Sequence, residues 1–120
     1  MKKLLIADDE DGIRTLVKMT LYGESLEILE AADGDQALAM AREHRPDVIL
    51  LDVMMPRQSG FDVCRALKGD PETAEIAVVL LTAKAQTADM EEGRAAGADD
   101  YFTKPFSPLE LIRKVDDLLQ

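Results

Sequence analysis

A chain of 120 residues fits one domain, 1–120, and leaves no room for a second. Apolar residues make up 47 % of it but aromatics only 4 %, so the core must be built from Leu, Ile, Val, Ala and Met. A net charge of −10 opposes non-specific binding to nucleic acid or an anionic membrane, and the lone Cys64 excludes an intramolecular disulfide and a cysteine-based metal site.

Met1-Lys2-Lys3 is basic, but the apolar run behind it lasts only from Leu4 to Ala7 before Asp8. That reads as a first strand and predicts no secretory leader. No run approaches the roughly 18 apolar residues of a membrane span, so a soluble cytoplasmic domain is expected. Ile13, Leu16, Val17 and Leu21 recur at helical spacing and predict a helix over 11–21. Leu26, Ile28 and Ala31 alternate with Glu27 and Glu30, the pattern of an edge strand. Asp33-Gly34 opens a second helix that runs to about His44 and is stopped by Arg45-Pro46. Val48 to Leu51 is apolar throughout, as a central strand covered on both faces should be.

Met55-Pro56 breaks the chain before a third helix, expected over 60–68 and ended by Gly69-Asp70-Pro71. A fourth strand follows near Ala77 to Leu81. The fourth helix, near Thr87 to Ala96, is the poorest of the five: its apolar content is mostly alanine plus Met90, and Gly93 costs about 1 kcal/mol relative to alanine. A short strand at Tyr101-Phe102 precedes the last helix, for which Ser107, Pro108 and Glu110 form an N-terminal signature. Alternating strands and helices predict an α/β fold with a parallel sheet.

Polar residues close the apolar runs. Asp8-Asp9 follows the first, Asp52 the third, Thr82 the fourth, and Lys104 comes just after Tyr101-Phe102-Thr103. In a parallel sheet these positions share the carboxyl edge, where open α/β sheets bind ligands. Crowded carboxylates raise each other's pKa, and a divalent hard cation such as Mg2+ would relieve them. Asp52 could then act as a nucleophile and form an aspartyl phosphate, with Lys104 as counter-cation and Thr82 or a backbone amide near Ala83 as donors. Taken singly, each residue has a plainer reading: Asp8-Asp9 as a cap with first-turn charge, Asp52 as a turn cap, Thr82 and Lys104 as solvated strand ends.

Through these motifs together, the whole chain resembles the receiver domain of bacterial response regulators, like the chemotaxis regulators. The resemblance is carried by Asp8-Asp9-Glu10, by Asp52-Val53-Met54-Met55-Pro56 with Gly60, by Thr82-Ala83, and by Lys104-Pro105-Phe106. It implies a flavodoxin-like (βα)5 doubly wound sheet of order 2-1-3-4-5 with helices on both faces. It also implies that Asp52 is the phosphoacceptor, that Asp8, Asp9, Asp52 and the Met54 carbonyl hold Mg2+, and that Thr82 and Lys104 meet the phosphoryl group. Tyr101 would be the switch aromatic, and Lys104-Pro105 a cis peptide. The implied phosphoryl donor is a histidine kinase or a phosphotransfer protein, and the implied output a downstream effector or output domain. Self-catalysed phosphoryl transfer and autodephosphorylation would be its only chemistry. Two other functions stay open: an interaction module that works without phosphorylation, and a phosphohydrolase using an aspartyl phosphate.

Other residues invite a role but have a simpler one. His44 is expected as a helix-terminus cation, Cys64 as a packed side chain on the third helix, and Met55 as filler beneath its loop. Met54 and Lys84, flanking the acceptor, are expected to control water access to an acyl phosphate. The resemblance further allows a phosphorylation-dependent homodimer through the last helices and strand. Its acidic part, Asp99, Asp100 and Glu110, is present, but the fourth helix, where the family has basic residues, reads Met90-Glu91-Glu92 with Arg94 as its only base.

Overall fold

The computed structural model describes residues 1–83 and 87–119. Strands and helices alternate along it: β1 (Lys2–Ala7), α1 (Asp11–Thr20), β2 (Leu26–Ala31), α2 (Gly34–His44), β3 (Val48–Asp52), α3 (Gly60–Lys68), β4 (Ala77–Thr82), α4 (Thr87–Ala96), β5 (Asp100–Thr103) and α5 (Pro108–Leu119). The strands form one parallel sheet in the order β2-β1-β3-β4-β5, the flavodoxin-like arrangement expected. β2 lies at the edge with much of its length half-exposed, while every residue of β3 is buried at the centre.

Because successive side chains on a strand point to opposite faces, the sheet divides its apolar residues between two cores. Leu5, Ala7, Ile49, Leu51, Val78 and Leu80 pack with Ala37 and Ala41 of α2, Val63, Cys64 and Leu67 of α3, and Ala96 of α4. Leu4, Ile6, Val48, Leu50, Val79 and Leu81 pack with Val17 of α1 and Leu111 and Val115 of α5. The continuous apolar run of β3 thus serves both layers at once. Beyond the end of α1, Leu21 is buried but Tyr22 is 90 % exposed.

Helix starts follow the sequence signals. The Asp33 side chain accepts from Gln36 N, Ser59 from Asp62 N, and Ser107 Oγ from Glu110 N at 3.0 Å. α1 is different. Its N-cap is Glu10, which makes no side-chain cap bond, so neither Asp8 nor Asp9 caps the helix. Strands extend beyond their apolar runs because the ladder also takes polar residues: Lys2 pairs with Leu26, Asp100 with Val79 and Thr103 with Thr82.

Glycines mark three close approaches. A Cβ on Gly34 would lie 2.1 Å from the Gln58 carbonyl oxygen, one on Gly60 2.4 Å from the Asp52 carbonyl oxygen, and one on Gly93 2.7 Å from both Leu80 Cδ1 and Tyr101 Cε1. Gly93 therefore weakens α4 as a helix but lets it lie directly on β4 and β5. His44 closes α2 beside Arg45, whose left-handed backbone (φ 45) ends the helix. Cys64 is fully buried with its Sγ 3.5 Å from the Ala96 carbonyl, and burial pushes its thiol up to about 11.

Candidate functional site

The parallel order brings four strand ends to one edge. β1 makes its last sheet-like bond through Asp8 N to the Ala31 carbonyl at 3.0 Å. Asp52 closes β3 and pairs with Leu81, so Thr82 lies one step beyond it on the neighbouring strand. Lys104 N donates to the Thr82 carbonyl at 2.7 Å, tying the chain after β5 to the end of β4. The Lys104-Pro105 peptide is cis. Asp8, Asp52 and Thr82 are all buried, an unusual fate for the two carboxylates unless they are paired.

The pairing partner is Lys104. Its Nζ lies 2.7 Å from Asp8 Oδ2 and 3.4 Å from Asp52 Oδ1. Asp8 Oδ1 accepts from Glu10 N at 2.9 Å, and Asp52 Oδ1 accepts from Met54 N at 3.3 Å. Asp8 Oδ2, by contrast, is the one buried side-chain oxygen among the described residues with no hydrogen bond. Lys104 approaches it as a charge, without hydrogen-bond alignment. Burial, then the negative charge of Asp8, raise the Asp52 carboxyl to about 6 against the pull of Lys104. Burial alone would push the Lys104 ammonium down, but the Asp8 carboxylate and the charges of Asp52 and Glu10 hold it up on balance.

The acidic side of the pocket fits a hard cation. Carboxylate oxygens of Asp8, Asp9 and Glu10 lie within 4.8 Å of one another, Asp9 and Glu10 facing solvent. An all-oxygen donor set with one buried, unbonded carboxylate oxygen suits a small divalent ion that keeps some of its water. Next to it, a depression of about 480 Å³ is lined by Asp9, Val53, Met54, Met55, Pro56 and Ser59. Its loop is seated on α2 through Gly34 N, which donates to the Pro56 carbonyl at 3.2 Å, and through Gln58 Nε2, which donates to Asp35 Oδ1 at 2.8 Å.

Asp8, Asp52 and Lys104 are thus in direct register, with Asp9 at the mouth and Thr82 buried beside them. Met54 is 77 % exposed, while Met55 packs partly buried against the core beneath the loop. Lys84, expected to flank the acceptor with Met54, lies outside the described residues. Tyr101 is half-buried on β5, and its hydroxyl donates to the Met90 carbonyl of α4 at 2.7 Å. Asp99 and Asp100 are engaged within the chain. Asp99 Oδ2 accepts from Val78 N at 2.8 Å and pairs with Lys68 at 2.9 Å, and Asp100 pairs with Lys114.

Two residues near the pocket had no role assigned from the sequence. Glu10 belongs to the acidic cluster, and its place in the Asp8-Asp9-Glu10 run was the available signal. Arg14 reaches back from α1 to the Asp8 carbonyl, a contact that helical spacing does not announce.

A receiver-domain model of response regulators matches residues 4–116. Among curated proteins, the chain is 42 % identical over 114 residues to the DNA-binding response regulator MtrA of Mycolicibacterium smegmatis, covering 95 % of this chain and 49 % of that protein. It is 43 % identical over 119 residues to the phosphate regulon transcriptional regulatory protein PhoB of Pseudomonas aeruginosa, covering 99 % of this chain and 52 % of that one. The chain therefore spans about half the length of these curated relatives. Among solved structures, the chemotaxis response regulator CheY4 of Vibrio cholerae superposes with a TM-score of 0.92 at 36 % identity, covering 98 % of each chain. No helix among the described residues is long and apolar enough to cross a membrane.

Proposed function

The chain belongs to the response regulator receiver family, and on that premise we propose that Asp52 accepts a phosphoryl group from a histidine kinase or a phosphotransfer protein. The observation that carries this reading is the Lys104 ammonium set between two buried carboxylates at the sheet's carboxyl edge. With its carboxyl raised to about 6, Asp52 is ionised at neutral pH yet more basic than an ordinary aspartate, which favours attack on phosphorus. One Asp52 oxygen forms the new bond to phosphorus as the bond to the donor histidine nitrogen breaks. The imidazole leaves with the electron pair.

Asp8, Asp9, Asp52 and the Met54 carbonyl would hold Mg2+, which neutralises charge on the transferred oxygens when bound. Lys104 lies near enough to Asp52 to pair with the phosphoryl group, and Thr82 offers a hydroxyl. The acyl phosphate is then lost to water, with Met54 and Lys84 controlling water's approach. No external substrate is turned over.

Phosphorylation adds about −1.5 to −2 charges to the pocket. Thr82 on β4 and Tyr101 on β5 would carry that change to α4, whose Met90 carbonyl already accepts from Tyr101. Moving a population from 1:99 to 99:1 needs roughly 5.5 kcal/mol, more than one new hydrogen bond supplies. A partner that binds the α4–β5–α5 face, whether an effector or an output domain, would provide the remainder. A phosphorylation-dependent homodimer through the same face would require Asp99 and Asp100 to exchange their present partners.

The test is incubation with Mg2+ and either acetyl phosphate or beryllium fluoride, followed by amide NMR and intact mass. Saturable change that is lost in Asp52→Asn is the expected result. No response in the wild type would leave an interaction module, and turnover of external phosphomonoesters a hydrolase; either would overturn the reading.

A further inference from the structure

We propose that Arg14 is the positioning residue of the acidic pocket, fixing the Asp8–Asp9 backbone so that both carboxylates face one cation. This rests on the Mg2+-dependent reading above and adds a residue from outside the strand-end set.

Beyond β1 the chain must turn into α1, and the Asp8 carbonyl then needs a donor that neither the sheet nor the helix provides. Arg14 Nη1 supplies it at 2.6 Å. The rest of the guanidinium is held from two other directions. Nε donates to Glu30 Oε1 on edge strand β2 at 3.3 Å, and Nη2 pairs with Asp11 in the first turn of α1. Glu30 Oε2 in turn meets Lys18 Nζ at 3.0 Å, so the anchor is itself anchored. The Arg14 side chain is only 14 % exposed although it stands on a surface helix.

One planar fork thereby joins β2, α1 and the backbone of the metal-binding loop. Fixing the Asp8 carbonyl fixes the plane of the Asp8–Asp9 peptide, and with it the direction in which Asp9 leaves the loop. The following amide, Glu10 N, donates to Asp8 Oδ1 at 2.9 Å and closes the turn around the carboxylate. A lysine at position 14 would keep the charge but lacks the geometry to serve three acceptors at set angles.

Positioning and electrostatics make opposite predictions. A cation beside the pocket repels a divalent ion, so removing Arg14 should tighten binding if only its field mattered. If it positions the loop, removal should weaken binding, as loss of the groups that orient metal ligands does.

The experiment is Mg2+ titration by calorimetry and amide NMR on the wild type, Arg14→Met, Arg14→Lys and Glu30→Gln, with thermal unfolding of each. The expected result is an Mg2+ Kd about tenfold weaker in both Arg14 variants, with no rescue by lysine, and a smaller weakening in Glu30→Gln. Tighter or unchanged binding in Arg14→Met overturns the proposal, as does a lowered Tm with unchanged Kd. Should Arg14→Met fail to fold, unchanged Kd in both Arg14→Lys and Glu30→Gln overturns it equally. Absence of Mg2+ binding by the wild type would instead strike the phosphoacceptor reading on which the proposal stands.

Discussion

Lys104 stands closer to Asp8 than to Asp52, at 2.7 Å against 3.4 Å. The ammonium is thus drawn first to Asp8 and only second to Asp52. Replacing Lys104 by methionine leaves two buried carboxylates without a counter-charge. Lys104→Met is expected to raise the Asp52 pKa beyond 6 and to lower stability at pH 7 by about 3 kcal/mol. Carboxyl-carbon NMR titration and urea unfolding check both.

Asp52 itself is a source of instability. An aspartate whose folded pKa is about 6, against 3.8 when free, binds more protons folded than unfolded between those values. Stability of the metal-free protein therefore falls as pH rises through that window, and the cost persists above it. Asp52→Asn removes the cost. It is expected to stabilise by about 2 kcal/mol at pH 7.5 and by almost nothing below pH 4. Urea midpoints at the two pH values decide; an equal gain at both would sink the argument.

Two glycines in helices should respond oppositely to alanine. Gly12, in α1, has nothing within 4 Å of where a Cβ would stand, so Gly12→Ala is expected to stabilise by about 0.5–1 kcal/mol. Gly60 would place its Cβ 2.4 Å from the Asp52 carbonyl oxygen. Gly60→Ala must push α3 away from the end of β3, destabilising by about 2–3 kcal/mol and reducing beryllium fluoride binding. Thermal melts of both variants, with and without the mimic, give the comparison.

Helix propensity and packing conflict at Gly93. Propensity alone awards alanine about 1 kcal/mol there. The 2.7 Å approaches to Leu80 Cδ1 and Tyr101 Cε1 point the other way. Gly93→Ala is expected to be net destabilising and to displace the Tyr101 ring, seen as shifted ring resonances by NMR. A more stable variant with unmoved tyrosine signals would show that the contact yields freely.

Cys64 should be chemically silent. Fully buried, with its thiol pushed up to about 11, it offers almost no thiolate at pH 8. Maleimide labelling is expected to proceed only as fast as the protein opens, and to become immediate in denaturing urea.

Strand identity was legible wherever one physical demand dominated. Val48 to Leu51 had to be central because both of its faces are apolar, and β2 had to be an edge because Glu27 and Glu30 interrupt its pattern. Asp8, Asp52 and Lys104 were legible as a group because parallel order places strand ends together. What the sequence hides is reach. Nothing in the spacing of Arg14 points to a backbone carbonyl six residues earlier, because its side chain crosses from α1 to the loop. Gly93 read as a defect in α4, since a close approach to β4 and β5 leaves no trace in one helix's own sequence. The polar ends of β5 were missed for a similar reason: Asp100 and Thr103 join the ladder through backbone atoms, which carry no hydropathy.

The bond from Tyr101 to the Met90 carbonyl has a practical consequence for optics. The chain contains no tryptophan and only two tyrosines, so its ultraviolet emission comes from Tyr22 and Tyr101 alone. Tyr22 stands in water, and Tyr101 stands half-buried with its hydroxyl donated to α4. Tyr22→Phe would leave one native fluorophore, seated on the seam between α4 and β5. Any rearrangement of that seam could then be timed by stopped flow without attaching a dye.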